Sequence, residues 1–273
     1  MDGPVLYDVD QHIATITLNR PHRRNAWTGR MHNEYRRRLA EAEGDPDVRA
    51  IIVTGSGDGF CVGGDMAALE GHVDKGGYDS GLPDQVITPG TGVRDEFEAD
   101  FAYHFALTKP VLAAINGPAA GVGLVLACYA DFRFCVPEAK LTTAHGRVGL
   151  PAEYGLSWLL PRLIGLSRAN ELLFTSRVFL GSEAEELGLV LKCAEPEWLL
   201  DEARQFMSEL IASNSREALA ATKLQIYSDL HRDVRASVEH AQELLDTLTT
   251  TKSFAYGVES LVNRQAPRFD LLD

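Results

Sequence analysis

The chain has 273 residues, 45% of them apolar, enough to bury a substantial core in one large domain or a domain with an appendage. A formal charge of −13 argues against nucleic-acid binding, which needs clustered Lys and Arg to release counterions. No apolar run approaches the ~20 residues that span a bilayer, and residues 1–10 carry no apolar signal core or basic leader, so a soluble, cytoplasmic protein is expected.

Taken in chain order, Ile13–Leu18 alternates and is β-branched, which predicts a strand ending at Asn19-Arg20-Pro21. Thr28 can cap a helix whose inner face carries Met31, Tyr35, Leu39 and Ala42, and Asp45-Pro46 marks its end. Residues 50–54 are continuously apolar, as in a strand covered on both faces. A glycine-rich stretch from Gly55 to Asp65 leads into a helical segment at 66–70. Residues 71–92 are polar, rich in Gly and Pro and without period, and a loop of that length is usually functional. A helical pattern over 96–107 leads to a second buried strand, 111–115. Another small-residue turn, Asn116 to Gly123, precedes an apolar helix at 124–130. Strands are expected at 131–136 and 141–143, and a mixed loop and helix over 151–165 with Trp158, Leu159, Leu160 and Leu163 as its apolar face. From Pro196 the pattern becomes nearly all helical: 201–211, 215–230 and 233–248 are amphipathic, the last carrying Val234, Val238, Ala241, Leu245 and Leu248. The expected organisation is an α/β core over 1–197 and a helical region over 198–273. Cys61, Cys128, Cys135 and Cys193 form no C-x-x-C pair and read as reduced thiols, with no metal site expected.

One local device occurs twice: a buried strand, a turn of glycine and small residues, and a helix starting at once. The first N–H groups of a helix lack intrahelical acceptors and point outward along its dipole. Glycine lets a ligand oxygen approach that backbone closely. Two such turns side by side could aim two N–H donors at one oxygen, which defines an oxyanion hole. Neither turn is a phosphate loop, because no Gly-Lys-Ser/Thr follows, and neither has a dinucleotide G-x-G-x-x-G after its strand.

Phe60-Cys61-Val62-Gly63-Gly64-Asp65-Met66 resembles the F-C-A-G-A-D-L segment of the crotonase (enoyl-CoA hydratase/isomerase) family. Asn116-Gly117-Pro118-Ala119-Ala120-Gly121-Val122-Gly123 is similar to that family's second oxyanion turn. Asn19-Arg20-Pro21, Asn25-Ala26, Arg147-Val148-Gly149-Leu150 and Leu160-Pro161-Arg162-Leu163-Ile164-Gly165 match further family segments in the right order. The resemblance implies an α/β spiral of ββα units with C-terminal helices that complete a homotrimer or a dimer of trimers. It implies an acyl-CoA thioester as substrate, with CoA part of the substrate and no separate cofactor. The thioester oxygen would accept N–H bonds from Gly64 and Val122. Gly64, Asp65, Met66 and Ala67 would lie along the pantetheine, and Arg24 and Ala26 near the CoA entrance.

A thioester α-proton also needs a base, usually a carboxyl whose pKa burial raises toward neutrality. The hydratases of the family use two glutamates; the positions that match them here hold Val125 and His145. Glu153 lies in a segment, Gly149 to Gly155, that resembles the one where peroxisomal-type enoyl-CoA isomerases carry their glutamate. One carboxylate suffices for a 1,3-proton shift, so isomerisation with Glu153 as base is the simplest chemistry these residues allow. His145 can act as a base near neutral pH. Paired with Glu153 it would bring back 2-enoyl-CoA hydration, or β-diketone cleavage. Tyr154 could donate to a substrate oxygen, and Asp65 reads as a helix cap. A non-catalytic acyl-CoA-binding subunit is the alternative outside enzymology.

Overall fold

The structure is a computed structural model and describes residues 3–76, 81–83, 86–90 and 97–272. Among them the strands are β1 (Val5–Asp10), β2 (Ile13–Leu18), β3 (Ala50–Gly55), β4 (Val111–Ile115), β5 (Ala119–Ala120), β6 (Phe132–Cys135), β7 (Lys140–Thr142), β8 (Phe179–Leu180) and β9 (Lys192–Cys193). The α-helices are α1 (Gly29–Gly44), α2 (Met66–Lys75), α3 (Val122–Tyr129), α4 (Leu156–Ile164), α5 (Leu166–Thr175), α6 (Gly181–Glu186), α7 (Leu199–Ser213), α8 (Arg216–Asp229), α9 (Val234–Leu248) and α10 (Lys252–Val262).

The main sheet runs β1-β2-β3-β4-β6-β9, and all its pairs beyond the β1–β2 hairpin are parallel. A second sheet, β5-β7-β8, lies beside it. Every residue of β3 and β4 is buried, so β4 and the first four residues of β3 read as continuous apolar runs, and Thr54 donates its hydroxyl to Ala114 O at 2.9 Å. α1 packs on β1 and β2, and α7 covers β2, β3, β4 and β6 with Leu199, Ala203, Met207 and Ile211 inward. Thr28 caps α1 by accepting the Met31 N–H at 3.2 Å, and Met31, Tyr35, Leu39 and Ala42 are buried on that helix.

Parallel neighbours end at the same edge of a sheet. β3 and β4 are in register up to Thr54 opposite Ala114, so the turns that follow them leave side by side. Asn116 locks this edge: its Oδ1 accepts the Gly55 N–H at 3.1 Å, and its Nδ2 donates to Gly55 O at 2.9 Å and Gly57 O at 3.0 Å. Asn25, fully buried, donates to Ser56 O and Gly59 O and accepts the Arg20 N–H, tying the 20–26 segment to the first turn. At the opposite edge Asp131 accepts from the Val111 N–H, Lys223 Nζ and Tyr227 Oη, all at 2.7 Å, which fastens α8 to β4.

The α-helix expected over 96–107 is not formed among the described residues of that span. Glu96 lies outside the described residues; Phe101 has φ 64°, which breaks a right-handed helix, and a 3-10 helix occupies Ala102–Ala106. In the long polar segment α2 extends to Lys75, and residues 77–80, 84–85 and 91–92 lie outside the described residues. Arg36, 4% exposed, bonds Ile87 O, Thr88 Oγ1 and Asp100 Oδ1 across that segment. The four cysteines are free, three of them buried. No helix among the described residues is long and apolar enough to cross a membrane.

Candidate active site

The two glycine turns meet through their backbones. Phe60 and Cys61 N–H both donate to Pro118 O at 3.2 Å, and the Ala120 N–H returns to Cys61 O at 3.0 Å. The first turn is held from its other side by Trp27, whose N–H donates to Gly63 O at 2.7 Å and whose carbonyl accepts the Asp65 N–H at 2.9 Å. In that parallel pairing the Gly64 N–H points away from Trp27. Val122 is the first residue of α3, after Gly121 at φ 49° and ψ −122°. Among the described residues neither the Gly64 nor the Val122 N–H has a hydrogen-bond acceptor, as expected of a free strand-edge group and a helix N-terminus.

Close approach explains one glycine in particular. A Cβ on Gly123 would stand 2.0 Å from Cys61 O, so the start of α3 rests directly on the first turn. Gly123→Ala must push the two turns apart, and such overpacking against backbone costs about 1–3 kcal/mol or more. The expected result is a Tm lowered by several degrees together with lost turnover; a wild-type Tm by thermal unfolding would contradict this packing.

Glu153 joins the same place. A Cβ on Gly121 would lie 3.9 Å from Glu153 Oε2 and 3.9 Å from Gly63 Cα, so the carboxylate faces the junction of both turns. Glu153 is half-buried, and burial raises its pKa above the ordinary carboxylate value while His145 opposes the rise. His145 is itself buried at the start of a 3-10 helix, His145–Val148. Its N–H donates to Thr143 O at 2.7 Å, and its Nδ1 is buried with no hydrogen-bond partner among the described residues. Tyr154 sets its ring edge-on to Phe101, with centroids 5.1 Å apart. Val125 is buried one turn into α3 and offers no proton-transferring group.

The remaining predicted positions lie around the first turn. Asp65 accepts the Ala67 N–H at 3.1 Å and pairs with Arg20 at 2.9 Å. Burial alone would raise the Asp65 carboxyl, but the bonds from Arg20 and Ala67 outweigh it and hold it below its usual range. It therefore stays ionised and holds the start of α2, where Met66 and Ala67 are exposed. Ala26 is buried and its carbonyl accepts from Arg20 Nη1 at 2.6 Å. Arg24 adopts φ 45° and its exposed side chain pairs with the exposed Asp58 at 3.5 Å. Gly64, Val122 and Glu153 thus lie together, with His145 near enough for its charge to act on Glu153 and with Arg24, Ala26, Asp65, Met66 and Ala67 around the first turn. Sequence reasoning placed Gly121 in the second turn but not the positive φ that precedes the Val122 N–H, and it gave no role to Arg20 or to Tyr129, whose hydroxyl bonds the Tyr154 carbonyl. Nothing in the sequence marks that last pair, which is made by tertiary packing across 25 residues.

Similarity to known proteins extends over the whole site. The model of a family described as enoyl-CoA hydratase/isomerase matches residues 8–271. A "probable enoyl-CoA hydratase EchA14" of Mycobacterium tuberculosis H37Rv is 38% identical over 199 residues, 70% of each chain. The 1,2-epoxyphenylacetyl-CoA isomerase of Escherichia coli K12 is 29% identical over 265 residues, 97% of each chain. The crystal structure of an enoyl-CoA hydratase from Mycobacterium tuberculosis H37Rv superposes with a TM-score of 0.83 at 26% identity, covering 98% of both chains.

Proposed function

The chain belongs to the enoyl-CoA hydratase/isomerase family and has the crotonase fold, and from that premise we propose that it moves the double bond of an enoyl-CoA thioester. The observation that carries this reading is the half-buried Glu153 carboxylate facing the junction of the two turns, where burial raises its pKa, while Val125 and His145 match, by the resemblance, the positions of the hydratase glutamates.

The thioester carbonyl oxygen accepts the N–H groups of Gly64 and Val122. Glu153 removes a proton from C2 of a 3-enoyl thioester, and the electron pair spreads into a dienolate whose negative oxygen those donors stabilise. The carboxylic acid so formed exchanges its proton with solvent and protonates C4, giving the 2-enoyl thioester and the starting carboxylate. No water is added and no electron leaves the system. Preorganised donors act where charge develops, so their effect is greater on the dienolate than on the neutral thioester. Arg24 at the rim supplies a guanidinium for the CoA phosphates. The exposed apolar side chains of α9 and α10, Val234, Val238, Leu245, Leu261 and Val262, support assembly of copies into a homotrimer or a dimer of trimers.

The test follows 3-hexenoyl-CoA and 2-hexenoyl-CoA by absorbance and mass in deuterated water. The expected result is a shifted double bond with deuterium incorporation and no mass gain of water. Water added to the 2-enoyl substrate would instead support hydration by Glu153 with His145, a second reading favoured by the buried imidazole close enough to act on the Glu153 charge. Turnover of either ester excludes a subunit that merely binds acyl-CoA.

A further inference from the structure

Glu153 projects from a segment with little core of its own: residues 146–151 are all exposed. Leu150 N–H to His145 O, Leu156 N–H to Glu153 O and Trp158 N–H to Gly155 O are local bonds that shape this stretch without tying it to the sheet. Tyr154 at φ 50° and Gly155 at φ 73° then make two successive left-handed residues directly after the carboxylate. A tyrosine holds that conformation where its surroundings over-determine it.

One such contact comes from α3, beside the edge-on packing of Tyr154 on Phe101. Tyr129, its last residue, donates its hydroxyl to Tyr154 O at 2.7 Å. The same hydroxyl lies 2.9 Å from where a Cβ on Gly155 would be, so it fills the space that glycine leaves. The Tyr129 ring is 4% exposed and packs on Phe105 at 5.2 Å and Phe101 at 6.3 Å. Burial pushes its hydroxyl up to about 12, so it remains a donor throughout the working pH range. All eight residues of α3 are buried, and its two ends do different things: Val122 presents an N–H to the site, and Tyr129 grips the turn that carries Glu153.

We propose that Tyr129 is the positioning residue of the Glu153 base, fixing the carboxylate against the oxyanion donors through one rigid helix. The proposal rests on Glu153 being that base. A base displaced by an ångström from its proton loses most of its advantage, whereas groups that bind CoA do not depend on this turn.

Tyr129→Phe in the full-length enzyme removes the hydroxyl and keeps the ring stacking. With 3-hexenoyl-CoA the expected result is a kcat lowered about 10- to 100-fold at unchanged KM. The acidic limb of the kcat/KM profile should also move to lower pH, because a loosened turn admits water to Glu153 and takes away the burial that raised its pKa. A lowered Tm with wild-type kcat and an unmoved limb would make Tyr129 a packing residue and overturn the proposal, as would a raised KM at wild-type kcat. Glu153→Gln, assayed in parallel, separates the two levels. An inactive Glu153→Gln beside a fully active Tyr129→Phe removes only the positioning role; an active Glu153→Gln removes the base, and the role of Tyr129 with it.

Discussion

Glu153→Gln should lower turnover of a 3-enoyl-CoA by about 10²- to 10⁴-fold, the usual worth of a positioned general base, while the dissociation constant for the ester stays near wild type. The amide matches the carboxylate in size, so the half-buried turn keeps its packing and the Leu156 N–H keeps its bond to the residue 153 carbonyl. What disappears is proton affinity at the junction of the two turns. The wild-type pH profile carries the same assignment. A base must be ionised in the free enzyme, so kcat/KM rises as pH climbs through the Glu153 pKa. Because burial raises that pKa, with His145 partly opposing, the acidic limb should lie above the range of an ordinary carboxylate. Retained turnover in Glu153→Gln would pass the base role to His145, and His145→Gln would then be the inactive variant.

The second large effect needs a change to the backbone itself. Val122→Pro deletes one N–H at the first position of α3, where proline's fixed φ suits a helix and the lost donor has no acceptor within the fold. Gly121, at φ 49° and ψ −122°, has no side chain to meet the pyrrolidine ring. Thermal stability should therefore hold. Turnover should fall about 10²- to 10³-fold, as when one donor is taken from an oxyanion hole, equivalent to about 3–4 kcal/mol of transition-state stabilisation. A Val122→Pro enzyme with wild-type kcat and an unaltered Tm would mean that the thioester oxygen sits elsewhere.

Sequence pattern exposed some parts of this architecture and hid others, for identifiable reasons. β3 and β4 were legible because burial on both faces demands an unbroken apolar run, and the glycines after them mark where backbone meets backbone. α1 was legible through its cap at Thr28 and the spacing of Met31, Tyr35 and Leu39. β1 was not, because its last three residues are exposed and carry no alternation. The two-residue strands β5, β8 and β9 are shorter than any period can reveal. Phe101 misled in the other direction: residues 96–107 have helical spacing, yet Phe101 turns left-handed, and its ring is buried between Trp27, His32 and Tyr154. At the site, resemblance to a family's segments pointed to Gly64, Val122 and Glu153, and the fold brings these three together. Tyr129 and Arg20 escaped notice because each acts on a backbone carbonyl or a distant carboxylate, a relation that exists only after the chain has folded.

The donors proposed for the thioester oxygen are peptide groups, and descent acts on them differently from side chains. A peptide N–H is the same in every residue but proline, so positions 64 and 122 can drift among many amino acids, valine included, without altering the charge they present. The positions whose side chains decide proton transfer stand instead on separate segments: 125 inside a helix, where valine moves none, 145 after a strand and 153 in a turn. A lineage can therefore exchange one chemistry for another by single side-chain replacements at those three places, while the part hardest to reinvent is inherited unchanged with the backbone.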